Sequence, residues 1–481
     1  MTYPTPPHAA YRPHKAPAGT TVPPLVIPAA IALALLNSTS PNPLLALLSA
    51  TVLVAGSVLL WRPGESPVLL FTFAFPWVQG SISIFHANWL GLDIGDYATN
   101  TGDIPSAVVL SLLGILAMAV GMRLGAGPRR PDLAYAAQSL AMAYPASRWL
   151  GLYAAAAAVG FVAMTFAWAM PGLTQPLLAL ANMRWAFFFM LAYAYFTCTH
   201  QRRGLFPLVF LLELATGIGA YFADFRLVFI VTLTAALASG IKISARAIMG
   251  SGALAALTVV FAVVWTAVKG EFRSFVSGGQ AAQIITVDYT TRLAKLYELV
   301  TDLGSDALSE AANQLLRRLT YVEFFSVVLI NVPASIQHTL GAILWDALIR
   351  PFMPRLLFVD KEVIDDTART NLYTNGLAGN SEGTSISLGY VAEAYIDFGP
   401  YAMFPVLLLI GMFYGSIYRF FIRWRRSYGL YGMAIATTVL MSVGPLENSF
   451  TKVFGGVIVS LVVAWVLIFP RWLPWLVPDR R

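Results

Sequence analysis

Continuous apolar runs of about 17 to 23 residues constrain this chain more than any other feature, because a helix of about 20 apolar residues spans a bilayer core. The runs do not alternate with a period of two, which argues against a membrane β-barrel. Hydrophobic residues make up 58% of the chain and charged residues 11%, against about a quarter charged in soluble proteins. The sequence therefore predicts an all-α polytopic membrane protein.

About twelve transmembrane helices are predicted. They cover residues 22–37, 43–60, 67–90, 104–122, 149–170, 177–199, 204–222, 225–241, 248–268, 401–421, 429–446 and 453–470. The first is the shortest, since about fifteen residues interrupted by Pro28 cover only roughly 22 Å.

Lysine and arginine gather in alternate connections, and the positive-inside rule places those connections in the cytoplasm. Both termini are then cytoplasmic, and the one long polar segment faces outward. The predicted organisation is a disordered tail (1–21), transmembrane helices one to nine (22–268), a large helical extracytoplasmic loop (269–400), helices ten to twelve (401–470) and a cytoplasmic tail (471–481). Cys198 is the one cysteine, so no intramolecular disulfide or thiolate cluster can form.

Apolar periodicity in the long polar segment predicts helices over 289–300 and 307–330 and a third helix capped by Ser335. On the third helix, His338 and Trp345 fall together opposite the apolar stripe. His338 would then be free to meet a ligand. The alternative is an inert surface histidine.

A further short helix is predicted to end at Gly399 and Pro400. On it Tyr390, Glu393 and Asp397 share one face, which places a phenol and two carboxylates together. We interpret this face as functional; the alternative is an interfacial helix with a polar side towards solvent.

Four acidic residues precede that helix in the segment 360–366. They are Asp360, Glu362, Asp365 and Asp366. Their oxygen atoms would suit Mg²⁺ or Ca²⁺, but the spacing matches no ordered ion loop. The pattern favours a solvated acidic turn, and no metal site is predicted.

Two arginines lie at or within predicted spans. Arg184 is inside span six, where an arginine normally has a buried partner or faces a cavity. Its role is either an ion pair with Glu213 of span seven or binding of an anionic lipid head group. Arg226 opens span eight at the depth of lipid phosphates; snorkelling or a pair with Asp224 is the alternative.

Over residues 177–470 the order of these features resembles the bacterial O-antigen polymerases, the Wzy-type oligosaccharide repeat-unit polymerases. The resemblance rests on the bundle of about a dozen spans and on short stretches of sequence. The stretches are Asp224-Phe225-Arg226, MPRLLFVDK (353–361), EGTSISLGYVAEAYIDFGPYAMF (382–404) and the late arginines Arg419, Arg423, Arg425 and Arg426.

The resemblance implies a GT-C-like helical fold in the bacterial inner membrane that uses no nucleotide, metal or other cofactor. It implies a polyprenyl diphosphate-linked oligosaccharide as donor and another lipid-linked unit as acceptor, with a chain-length regulator and a flippase as possible partners and no nucleic acid. It also implies that arginines facing outward bind the diphosphate. We add Arg184 to these arginines because it lies close to the outer end of span six. The diphosphate-binding residues are then Arg226, Arg317, Arg318, Arg355 and Arg184.

Transfer of a sugar from a lipid diphosphate needs guanidinium groups for the leaving group and a base for the acceptor hydroxyl. Glu393 is the first candidate base, His338 the second and Asp397 the third. Trp345, Tyr390 and Tyr395 are candidates for stacking on sugar rings. An oligosaccharide ligase differs only in its acceptor and stays open. A flippase or transporter is less favoured, because the charges gather at one outer face rather than along many spans.

Overall fold

All regular secondary structure in the part of the chain that the structure describes is helical. The computed structural model describes residues 23, 25–97, 102–170, 172–197, 205–218, 225–241, 245–279, 286–353, 357–358, 361, 365–379, 385–423 and 429–468. The helices are α1 (Val26–Leu36), α2 (Pro43–Leu60), α3 (Val68–Leu90), α4 (Ile94–Tyr97), α5 (Ile104–Ala126), α6 (Leu133–Ala143), α7 (Ala146–Ala169), α8 (Thr174–Asn182), α9 (Arg184–Thr197), α10 (Leu205–Ile218), α11 (Phe225–Ala238), α12 (Ala245–Val276), α13 (Tyr289–Thr301), α14 (Ser305–Leu319), α15 (Val322–Asn331), α16 (Ala342–Ile349), α17 (Asp366–Thr374), α18 (Tyr390–Arg423), α19 (Gly429–Leu440) and α20 (Phe450–Val463).

Each predicted span contains a helix. Among the described residues, six helices are long and apolar enough to cross a membrane by length and composition: α2, α3, α5, α7, the continuous pair α8–α9, and α18. Large apolar side chains remain exposed on the outer surfaces of these and of shorter apolar helices, including Phe161 of α7 and Leu211 of α10. Exposed apolar surface of this kind is suited to lipid rather than water. An all-helical membrane protein is therefore confirmed, and the count of twelve spans stays a prediction.

The centre of the molecule is the contact between α5 and α18. It depends on four glycines: Gly121 and Gly125 of α5, and Gly411 and Gly415 of α18. A Cβ at Gly121 would lie 2.0 Å from the carbonyl oxygen of Leu408, and one at Gly411 would lie 2.1 Å from that of Met118. Small residues four apart let two helix backbones touch in this way. Residues earlier in α5 meet residues earlier in α18, so the two helices run in the same direction.

The helices of the long polar segment are only partly as predicted. The helix over 289–300 is confirmed as α13, but the helix predicted over 307–330 is divided at Thr320 into α14 and α15. The physical reason is packing, because α14 lies against α12 whereas α15 lies against α5. One straight helix could not follow both neighbours.

The predicted third helix begins later than Ser335, so the capping role given to Ser335 is wrong. It starts at Ala342, after Leu340 and Gly341 have adopted positive φ values of 52° and 93°. His338 therefore lies outside α16 while Trp345 lies on it, and the prediction that both share one helix face is wrong.

The predicted helix end at Gly399 is confirmed as a break inside α18. Gly399 has φ 76° and ψ −177°, a conformation that strains any residue with a side chain. Helical structure resumes at once and continues to Arg423, so α18 has a short first piece and a long second one. The second piece has the length of a membrane span, at about 1.5 Å of rise per residue. The predicted tails 1–21 and 471–481, and Cys198, lie outside the described residues.

Candidate functional site

The first piece of α18 is enclosed by protein on all sides. Tyr390, Glu393 and Asp397 are all buried, and Glu393 and Asp397 have no exposed surface. The alternative of an interfacial helix with a polar side towards solvent is therefore wrong. A buried carboxylate is costly unless charges or hydrogen bonds satisfy it, so the partners of each one define what this region can do.

Glu393 is satisfied by two elements that converge on it. Its Oε1 accepts a hydrogen bond from the Arg369 guanidinium of α17 at 3.3 Å, and its Oε2 accepts one from the Phe450 backbone N–H at 2.5 Å. Phe450 is the first residue of α20, where backbone N–H groups lack partners within the helix. Glu393 thus ties α17, α18 and the start of α20 together.

Arg369 continues this network towards the surface. Its side chain is 22% exposed, and its second terminal nitrogen lies 3.9 Å from a carboxylate oxygen of Asp346. The same oxygen accepts a 2.7 Å hydrogen bond from Arg350. We call Glu393, Arg369, Asp346 and Arg350 the Glu393 cluster. Its outer members could exchange Asp346 for an anionic ligand, because a guanidinium binds carboxylate and phosphate oxygens alike.

A second group lies beside it around Asp366, in the first turn of α17. Asp366 is 3% exposed. Its Oδ2 lies 2.9 Å from the Lys452 ammonium, and it also accepts from the hydroxyls of Ser385 and Ser449 at 3.4 Å each. Its Oδ1 is buried and has no hydrogen-bond partner. We call Asp366, Lys452, Ser385 and Ser449 the Asp366 cluster.

The two clusters share one electrostatic neighbourhood. Burial raises the pKa of Tyr321 well above its ordinary range, and the carboxylates of Glu447, Glu393 and Asp366 raise it further. Burial also raises the pKa of Tyr373, against the opposing effect of the Arg369 charge. A phenol surrounded by carboxylates stays protonated, so Tyr321 is a neutral part of the site.

Asp397 caps a helix. Its Oδ1 accepts from the Thr339 hydroxyl and from the Ile343 N–H at 3.1 Å, and its Oδ2 accepts from the Leu344 N–H at 2.8 Å. These bonds satisfy the free N–H groups at the start of α16 and explain why that helix begins where it does. Its role as a base stays a prediction.

His338 packs against the break in α18. Its Nδ1 is 3.1 Å from the carbonyl oxygen of Ile396 and so carries the hydrogen of that bond. Its ring meets the Tyr395 ring edge-on at 5.6 Å, and a Cβ on Gly399 would lie 3.4 Å from Nε2. With Nδ1 donating, Nε2 holds the lone pair that a base needs.

The predicted sugar-stacking residues are in different environments. Trp345 is 66% exposed and can meet a ligand directly. Tyr395 is buried, and its hydroxyl donates to the Val332 carbonyl at 2.9 Å. The Tyr390 hydroxyl is buried without a partner. Of these three candidates, only Trp345 presents an accessible ring.

The predicted diphosphate residues do not form one group among the described residues. Arg184 pairs with Glu213 at 3.7 Å and lies over the Trp185 ring, while Glu213 also accepts from the Tyr153 hydroxyl. The ion pair proposed from the sequence is therefore present. Arg226 is exposed at the start of α11. The side chains of Arg317 and Arg318 and the whole of Arg355 lie outside what is described.

Sequence reasoning missed Arg369 and Lys452 and misjudged Asp366. The prediction of a solvated acidic turn is wrong for Asp366, which α20 covers, whereas Asp365 does cap α17 through the Ala368 N–H. A signal was present, because Asp366 and Arg369 are three apart in a short polar helix followed by small hydroxyl residues. Lys452 is 86 residues downstream of its partner Asp366, and no local pattern could join them.

Two comparisons with known proteins returned no match, and a third returned a family. One family model matches residues 136–470 and is described as a domain of unknown function, DUF8712. No curated protein and no solved structure matches the chain. Every residue of the Glu393 and Asp366 clusters lies within the matched range.

Proposed function

The chain belongs to the DUF8712 family of unknown function, and we propose that it is a membrane glycosyltransferase that polymerises polyprenyl diphosphate-linked oligosaccharide repeat units. The product would be an O-antigen or exopolysaccharide. The single observation that carries the proposal is the pair of adjoining clusters, in which two buried carboxylates are held by Arg369 and Lys452 at the start of α18 and α20.

The reaction needs the groups that these clusters provide. The acceptor hydroxyl loses a proton as it attacks the anomeric carbon, and the diphosphate departs with two charges or more. Carboxylates or an imidazole serve as the base, and guanidinium or ammonium groups offset the charge that develops. Such charges act strongly where water is excluded, and the buried first piece of α18 is such a place.

The base candidates keep their predicted order as proposals. Glu393 is the first candidate. The Arg369 guanidinium lies 3.3 Å from its carboxylate, so Glu393 would accept the proton of the acceptor hydroxyl beside a positive charge. His338 offers Nε2 beside the break in α18. Asp397 is third because its oxygens already accept three hydrogen bonds.

The anionic group is expected where basic side chains reach the surface. Arg226 is exposed in the described structure, and Arg369 and Arg350 both contact Asp346, which an anionic ligand could replace. Arg184 could contribute if it left Glu213. Arg317, Arg318 and Arg355 stay in the proposed set. Trp345 is the proposed sugar platform, since its exposed ring can stack on a pyranose.

The distribution of charge supports the proposed orientation. The end of α5 and α18 opposite the two clusters is basic, with Arg62, Arg123, Arg130, Arg419 and Arg423 near the turn at Gly127 and Pro128. By the positive-inside rule that end is cytoplasmic. The clusters would then face outward from a bacterial inner membrane, with both termini in the cytoplasm, twelve spans and a GT-C-like arrangement.

The test is a polymerisation assay. Purified protein in nanodiscs is incubated with a polyprenyl diphosphate-linked repeat unit, and the products are separated by length. We expect a ladder of glycans that grows by whole repeat units. Transfer of single units to a lipid core or a protein without a ladder would identify an oligosaccharide ligase instead. Movement of the intact lipid-linked unit between leaflets, with no new bond, would identify a flippase.

A further inference from the structure

The three buried carboxylates at the site differ in how many of their oxygen atoms accept a hydrogen bond. Glu393 accepts one hydrogen bond on each oxygen, and Asp397 accepts bonds on both of its oxygens. Asp366 accepts all of its bonds on Oδ2, and its buried Oδ1 has none. A buried acceptor without a donor costs free energy, so such atoms in a folded protein call for an explanation.

An oxygen that lacks a donor can receive one from a ligand. The donor best suited to a carboxylate in a glycosyltransferase is a sugar hydroxyl. On the basis of the proposed function, we propose that Asp366, in place of the three candidates named from the sequence, accepts the proton of the acceptor hydroxyl. Lys452 then covers the Asp366 carboxylate until the donor diphosphate displaces the lysine.

Lys452 is placed to act as this cover. Its side chain is 39% exposed while that of Asp366 is 3% exposed, so the lysine is the solvent-accessible member of the pair. The ammonium holds Asp366 at 2.9 Å and the Ser385 hydroxyl at 3.1 Å. A flexible side chain that bears a point charge can exchange a carboxylate for a phosphate with little rearrangement.

The surroundings favour an anion at the same place. Asp366 is in the first turn of α17, and Ser449 caps the start of α20, its hydroxyl accepting from the Lys452 N–H at 3.4 Å. The positive ends of the two helices therefore converge on the cluster. Arg369 is one turn further along α17. A leaving diphosphate would therefore contact two cations, Lys452 and Arg369, and the N-terminal ends of α17 and α20.

The proposed step balances without any further reactant. The acceptor oxygen forms a bond to the anomeric carbon, and its proton passes to Oδ1 of Asp366. The bond from that carbon to the diphosphate oxygen breaks, and its electron pair leaves with the diphosphate. Lys452 and Arg369 offset the added negative charge, and the proton returns to water after the product departs.

The first experiment is Asp366→Asn in the polymerisation assay, using the full chain. We expect the rate of ladder formation to fall by about 100-fold or more, the usual contribution of a general base, with binding of the lipid-linked donor retained. Asp306→Asn, at an exposed aspartate of α14, is the matched control and should retain the wild-type rate. Added formate should restore part of the rate to Asp366→Ala, which a purely structural carboxylate would not allow.

The second experiment is Lys452→Gln. We expect the KM for the donor to rise about tenfold or more, the range for loss of a charged hydrogen bond. Lys295→Gln, a lysine of α13 whose partners Glu271 and Glu298 are exposed, is its control. An unchanged donor KM in Lys452→Gln would reject the covering role.

The outcomes separate this inference from the proposed function. A wild-type protein that makes a ladder, with Asp366→Asn equally fast, overturns the inference and leaves the function intact. A wild-type protein that makes no ladder from any repeat unit overturns both. If Asp366→Asn does not yield folded protein, Asp366→Glu replaces it: the longer side chain misplaces the oxygen and should lose turnover, and full turnover would again overturn the inference.

Discussion

At the scale of single residues, the ion pair of Arg369 and Glu393 decides whether the site can form. Glu393 has no exposed surface, and Arg369 is its one cationic partner among the described residues. Removing one partner of a buried pair leaves the other charge uncompensated. The pair is thus a structural condition for any activity of the neighbouring groups.

We predict that Arg369→Ala lowers the stability of the folded protein by about 2 kcal/mol, the range for loss of a hydrogen bond to a charged group. Thermal unfolding in detergent measures the change. Adding Glu393→Gln should recover part of the loss, because a neutral amide needs no cation. Lys295→Ala, whose partners are exposed, should change the midpoint little. A double variant no more stable than Arg369→Ala would contradict the pairing.

At the scale of elements, the contact between α5 and α18 positions the site. The backbones touch at the four glycines, and the long piece of α18 then leads to the break at Gly399 and to Glu393. A shift of α18 relative to α5 would move Glu393 away from α17 and α20. The glycine contact therefore determines a geometry that lies several turns away from it.

We predict that Gly415→Ala destabilises the protein by about 1–3 kcal/mol, the usual cost of overpacking. The new Cβ would lie 2.2 Å from the Met122 carbonyl oxygen and 2.6 Å from the Ala126 nitrogen, and backbone atoms cannot rotate aside. Gly455→Ala in α20 is the control, since nothing lies within 4 Å of its Cβ. The thermal midpoints of the two variants should differ clearly; equal midpoints would show that the helices can separate without cost.

At the scale of the whole molecule, the two ends of the bundle differ in charge. One end carries the buried carboxylates of the two clusters, and the other carries arginines bound to the carbonyls of Gly127 and Pro128. A bilayer would separate these ends, so the orientation of the chain decides whether the site meets external or cytoplasmic substrates.

We predict that the Asp366 end is outside. Replacing Cys198 with serine removes the one cysteine, after which Ser305→Cys and Ser147→Cys each provide a single exposed probe. A membrane-impermeant maleimide should label the cysteine at position 305 in intact spheroplasts. It should label the cysteine at position 147 only after the spheroplasts are permeabilised. The reverse pattern would place the site in the cytoplasm and would end the proposal of an external lipid-linked donor.

The sequence alone was enough to predict the class of fold, the positions of the apolar helices, the helix α13 and the break at Gly399, and it gave the pairing of Arg184 with Glu213 as one of two roles for that arginine. These features follow from local hydropathy, from the conformational freedom of glycine and from the cost of an unpaired charge in lipid, which neighbouring residues determine. Only the tertiary structure decided that Asp366 is buried, that Lys452 and Arg369 hold the carboxylates, that Asp397 caps α16 and that α14 and α15 part at Thr320. Those outcomes depend on which distant helices pack together, and side chains many residues apart meet only because α17, α18 and α20 converge.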